Sequence, residues 1–154
     1  MAEIPEANLI QSEIVLREMQ LTDEVKMTRK SLVRWLALSL GLISPKESRQ
    51  SILTLLEALL FYHLKEKKGP NYNDVLEYFK QQSVEMNEKT IRYHITQLRK
   101  SGILEDERSS YRFAGFQGDN LAQALEQIYK KRADYAFSNI KIATELLQKM
   151  HENS

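Results

Sequence analysis

Residues 87–114 read NEKTIRYHITQLRKSGILEDERSSYRFA, and local spacing here specifies a helix and a hairpin. Ile91, Ile95 and Leu98 recur at steps of four and three, the period of a helix with one buried face. Asn87 stands where a side-chain oxygen can accept from the free N–H groups of a first turn. Met86 just before that cap and Ile91 four residues after it have the spacing of a hydrophobic staple. Gly102 is the left-handed residue expected to close such a helix. Ile103–Asp106 and Ser110–Phe113 then read as two short strands around a polar turn. The expectation is a helix over 88–101 followed by a hairpin over 103–114.

Upstream, Ser44-Pro45-Lys46-Glu47 has the form of a helix start, with Ser44 as cap, Pro45 in the first helical position and Glu47 completing a capping box. This helix is expected to run to about Lys67 with Ile52, Leu55, Leu56, Leu59, Leu60 and Leu64 buried, and Gly69-Pro70 to end it. Asn73 is read as the cap of a short helix through Gln81 or Gln82, burying Val75, Leu76 and Phe79. A further helix is expected over Arg29–Leu42, capped by Thr28, with Leu32, Val33, Leu36, Leu40 and Ile43 inward and Trp35 widening the stripe. Its basic start, Arg29, Lys30 and Arg34, runs against the helix dipole and reads as a solvated or phosphate-facing surface. Residues 7–20 predict a short amphipathic helix with Ile10, Ile14 and Leu16 inside. Downstream, Ala122, Leu125, Tyr129, Ala133, Ala136, Ile140, Ala143, Leu147 and Met150 follow at steps of three or four. They predict helix from Asp119 to Met150, in one piece or two.

Composition narrows the function. The 154 residues contain no cysteine, which excludes disulfides and thiolate chemistry and fits a reducing interior. MAEIPEANL lacks the basic start and apolar run of a signal peptide, and Leu36–Ile43 and Ile52–Leu64 are too short or too polar to span a membrane, so the expected location is cytoplasmic. Net charge is only +1, but it is uneven: −4 over 1–27, +5 over 28–70, −2 over 71–86, +2 over 87–114 and zero over 115–154. The three histidines, His63, His94 and His151, match no metal-ligand spacing. Gly115-Phe116-Gln117-Gly118 is too short for a phosphate loop, and no catalytic motif is present. The expectation is a protein without enzymatic activity, metal or cofactor.

The order of helix 45–67, helix 74–82, helix 88–101 and a hairpin resembles a winged helix-turn-helix domain. Within it, Thr90 through His94 and Ile95, then Leu98 and Gly102-Ile103-Leu104, resemble the recognition-helix-to-wing passage of winged helix transcription regulators. The resemblance covers about Gln50–Ala114, and Leu40 to Pro45 is similar to small archaeal proteins of this class. It implies a mainly α fold with a small β-hairpin wing, in which N-terminal helices (1–43) and a long C-terminal helix (116–154) flank the winged helix-turn-helix core (44–115). It also implies a DNA-binding transcription regulator.

An α-helix fits the major groove of duplex DNA. With Ile91, Ile95 and Leu98 turned inward, Lys89, Arg92, Tyr93, Thr96 and Arg99 fall on the outer face, about 100° apart per residue. Arg92 has the reach for a bidentate guanine contact, and Thr90, Tyr93 and Thr96 for bases or phosphates. Lys100, Arg108 and Arg112 are candidates for the backbone, the two arginines from the wing. Glu105, Asp106 and Glu107 at the wing base oppose phosphate and keep a second reading open, a winged module for protein–protein assembly. RNA is disfavoured by the scarcity of stacking aromatics on the face. His94, beside the buried stripe, reads as a packed histidine. Regulators of this arrangement commonly dimerise through a long C-terminal helix, which makes a homodimer through Leu125, Tyr129, Ala136, Ile140 and Leu147 the expectation. The alternative is a helix folded back onto 29–42 in its own chain. No effector is legible.

Overall fold

The computed structural model describes residues 3–46, 50–85 and 87–154. A 3-10 turn at Pro5–Leu9 and an extended arm precede the helices α1 (Asp23–Lys26), α2 (Arg29–Ser39) and α3 (Gln50–Leu60). Helices α4 (Tyr72–Gln81) and α5 (Glu88–Lys100), the hairpin β1 (Leu104–Glu107) and β2 (Ser110–Phe113), and α6 (Leu121–Glu152) follow. The fold is mainly α with a two-stranded wing: a winged helix-turn-helix core, helices before it, and one long helix after it.

Helix α3 packs against α2, α4 and α5, so its apolar face is the centre of the molecule. Leu55, Leu59, Phe79, Ile91, Ile95 and Ile103 are fully buried there, joining three helices and the start of the hairpin in one core. Fully burying each such side chain contributes about 1.5–3 kcal/mol. Beyond Leu60 the helix widens into a π turn at Phe61–Lys65. His63 is thereby buried, whereas Leu64, expected inside, is exposed. The inserted histidine has a use. The Phe113 N–H donates to His63 Nε2 (3.2 Å), so the ring carries its proton on Nδ1 and donates it to the Leu59 carbonyl (2.7 Å). One neutral imidazole thus ties α3 to the second strand of the wing. Burial holds its pKa below the ordinary value, opposed by the bond to Leu59 and assisted by the nearby Arg112 charge.

Where boundaries differ from expectation, a capping bond explains the shift. Asn71, not Asn73, caps α4: its side chain accepts from the Asp74 N–H (2.8 Å) and Asp74 returns a bond to the Asn71 N–H (3.0 Å). That reciprocal box needs an acid three residues on, which Asn71 has. Ile103 lies between α5 and the first strand, closing the helix with its N–H and accepting from the Ala114 N–H with its carbonyl. Its N–H reaches the Leu98 carbonyl and that of Gly102 the Arg99 carbonyl, with Gly102 at φ +82°, a complete Schellman closure. Gly69 lies so close to the Tyr111 carbonyl that a side chain would collide with it, and the Tyr111 N–H bonds the Pro70 carbonyl (2.8 Å). Residues 69–70 therefore line the outer edge of the hairpin. Ser44, Pro45 and Lys46 precede α3 in loop and turn conformation; the Glu47 of the expected capping box and the Met86 of the expected staple lie outside the described residues.

The amphipathic helix expected over 7–20 is an extended arm after Leu9. Helix α2 ends at Ser39, and the Arg17 guanidinium donates to the carbonyls of Leu38 (2.6 Å) and Ile43 (2.9 Å), while the Arg17 N–H donates to Ser39 (2.9 Å). Unpaired carbonyls at a helix end draw a cation, and this arginine must extend its own backbone to reach them. Ile14 packs against the core, but Ile10 and Leu16 remain exposed. On α2, Val33 and Ala37 are buried and Leu32 is exposed, so the inward stripe is shifted by one residue. Among the described residues no helix is long and apolar enough to cross a membrane.

Candidate nucleic-acid interface

Helix α5 begins where its sequence says it should. Asn87 Oδ1 accepts from the Thr90 N–H (3.2 Å), and Ile91, His94, Ile95 and Leu98 are buried against the core. His94 packs as expected, its Nε2 within 3.3 Å of Ser51 Oγ. Fixing that inner face fixes the outer one. Lys89, Arg92, Tyr93 and Lys100 are exposed along α5, with Thr90 and Thr96 half-buried beside them.

The cations of this surface fall into two states. Among the described residues no acid pairs with Lys89, Arg92, Lys100 or Arg108. Arg92 instead lies over the ring of Tyr72, 4.0 Å from guanidinium carbon to ring centre, and the Tyr72 hydroxyl donates to Glu88 Oε1 (3.1 Å). The stack orients the guanidinium without neutralising it. Tyr72 comes from α4, so the platform is invisible in the sequence around Arg92, and no sequence signal singles it out.

Arg99 and Arg112 are occupied. Arg99 Nε pairs with Asp106 Oδ1 (3.0 Å) and lies over the ring of Tyr111. Arg112 pairs with Glu105 and, at 3.0 Å, with Glu107, and the bond to Glu105 holds its guanidinium more firmly charged than usual. Glu105 faces Arg112 directly across the antiparallel register. The three acids of the wing are thus shared by two arginines, Arg112 of β2 and Arg99 of α5, which lessens their repulsion toward an anion and engages two of the cations expected to face one. Arg108 sits at the hairpin tip, where it and Ser109 take left-handed conformations (φ 51° and 68°). Two such residues form the tight turn whose twist matches that of paired strands.

The C-terminal helix divides in two. Ala124, Ile128 and Tyr129 are buried, Leu125 is half-buried, the Tyr129 hydroxyl donates to the Leu40 carbonyl (2.6 Å) and Arg132 donates to the Glu13 carbonyl (2.7 Å). Leu125 and Tyr129, expected in a dimer contact, thus pack within their own chain, because α2 ends beside them with a free carbonyl and an apolar flank. Every residue from Asp134 onward is exposed, Ala136, Ile140 and Leu147 included. Comparison of the chain with protein-family models, with curated proteins and with solved structures finds no significant match.

Proposed function

We propose that this chain is a DNA-binding transcription regulator that places the outer face of α5 in the major groove, acts as a homodimer, and carries out no catalysis. The observation that carries the reading is the state of Lys89 and Arg92. Both are exposed in the first two turns of a helix held by a cap and a buried stripe, and Arg92 is aimed by Tyr72 while its charge stays unspent. The N-terminal half of such a helix is the part that reaches base edges, and a guanidinium there matches the two acceptors of guanine. Lys100 and Arg108 flank it at positions suited to backbone phosphates. The second reading, a module for protein–protein assembly, draws support from the wing, whose acids and Arg112 are engaged in ion pairs.

Arg92→Ala tests the assignment. It removes a side chain outside the core, so the fold persists by circular dichroism. Duplex affinity, read by fluorescence anisotropy at matched salt, should fall by about 1–3 kcal/mol. Unchanged affinity would remove Arg92 from the interface.

A further inference from the structure

The exposed half of α6 and an open groove beside its buried half are complementary, and we propose that they bind each other between two copies of this chain, as antiparallel helices crossing at Ala136. The proposal rests on the homodimer reading above and specifies its geometry. The groove, about 480 Å³, is lined mainly by Leu16, Leu36, Leu40, Leu125, Tyr129 and Ala133. It continues along one helix face into Ala136, Ile140, Ala143, Leu147 and Met150, all exposed. A helix of 32 residues is about 48 Å long, and its second half is exposed throughout, although apolar packing is what stabilises helices in water.

Side-chain size chooses the direction. Ala136 lies at the middle of Leu121–Glu152. Counting outward from it, Ala122 and Met150 each lie 14 residues away, Leu125 and Leu147 each 11, and Tyr129 and Ala143 each 7. Ala133 and Ile140 lie 3 and 4 away. Such near-symmetry is common to any stripe of three- and four-residue steps, but the pairing of sizes is not. Reversing one copy sets Ala133 near Ile140 and Ala122 against Met150, a small residue facing a large one. It lays Ala143 over the groove floor at the buried Tyr129 and Leu147 beside the half-buried Leu125, with Ala136 meeting its own copy where the axes come closest. A parallel pair would set Met150 on Met150 and Ala143 on Ala143, and would leave the groove empty.

A second row, Tyr135, Ile142 and Leu146, lies about 100° round the helix from the first and is also exposed. A single two-helix seam does not need it. In a two-fold antiparallel pair, equivalent flanks of the two helices lie on the same side. This row therefore faces the wall of the partner's groove formed by Leu16 and Leu36. The exposed large apolar side chains of α6, about half accessible each, together with Leu16, offer on the order of 600–800 Å² per copy, close to the roughly 800 Å² per partner of a standard stable interface.

The chain has no cysteine, so introduced thiols report the geometry directly. Oxidation should link Ala136→Cys to itself, and should link a mixture of Ala122→Cys and Met150→Cys variants to each other, while Met150→Cys alone stays unlinked. Self-linking of Met150→Cys would show a parallel pair and overturn the proposal. So would a dimer by light scattering with no link at Ala136, which would place the interface elsewhere, and so would a monomer at tens of micromolar. Each of these leaves duplex binding by α5 to be read separately by anisotropy, so the dimer geometry and the DNA reading fail independently.

Discussion

Helix α5 and the hairpin that follows it both carry arginines, but the helix is net +3 over 88–100 and the hairpin net −1 over 104–113, and they hold their charge differently. Among the described residues Lys89, Arg92 and Lys100 of the helix have no acid partner, while the acids of the wing are held by Arg112, which pairs with Glu105 and Glu107 within the hairpin, and by Arg99 at the end of α5, which pairs with Asp106. Counting basic residues along the chain cannot separate the two states. What separates them is register: Glu105 lies opposite Arg112, and the return of β1 along the end of α5 brings Asp106 to Arg99. The helix keeps exposed cations without an acid partner among the described residues, and the wing, apart from Arg108 at its tip, uses its ion pairs to hold its own shape.

The largest expected effect lies on the inner side of α5. Ile95→Ala removes a side chain only 2% exposed in the centre of the core and should lower stability by about 2–5 kcal/mol. Denaturant unfolding measures this, and a loss under about 1 kcal/mol would mean that the helix is not seated as described.

An intermediate effect tests how the wing is attached. His63 is held neutral, with its pKa below the ordinary 6.5 because it is buried. As pH falls below 6.5 the unfolded chain takes up a proton that the folded chain excludes. The stability His63 contributes is therefore complete above that value and declines as pH drops toward its folded pKa. The melting temperature should fall from pH 7 to pH 5, and His63→Gln should flatten that fall. Equal slopes in both proteins would dissociate His63 from the acid sensitivity.

The smallest effect belongs to the wing arginines. Arg112→Ala breaks partly exposed ion pairs, worth about 0–1 kcal/mol of stability, and should reduce duplex affinity far less than Arg92→Ala does. If the two substitutions cost the same affinity, the wing charges are available to DNA and the contrast between helix and wing fails.

The elements that carry this contrast were legible to different degrees. Helix α5, its Asn87 cap and the Gly102 closure follow from local spacing, since the capping and the stripe lie within a few residues of one another. The hairpin follows for the same reason. The extended arm did not, because Arg17 is drawn out by carbonyls more than twenty residues away. The same limit hid Tyr72 beneath Arg92 and His63 between Leu59 and Phe113. In α6 the stripe marks one continuous apolar face but not where its own chain stops covering it. That point is set by where α2 and the arm end, and it moved Leu125 and Tyr129 into the core while leaving Ala136, Ile140 and Leu147 outside.

In the proposed reading Lys89, Arg92, Lys100 and the wing-tip Arg108 meet DNA, and the salt dependence of duplex affinity checks that contact. Each neutralised phosphate contributes about −0.9 to the slope of log K against log salt. With Lys89, Lys100 and Arg108 on phosphates in both copies, and Arg92 on either a base or a phosphate, the slope should be about −5 to −7. Absence of binding at 50 mM salt, or a slope near zero, would contradict the account.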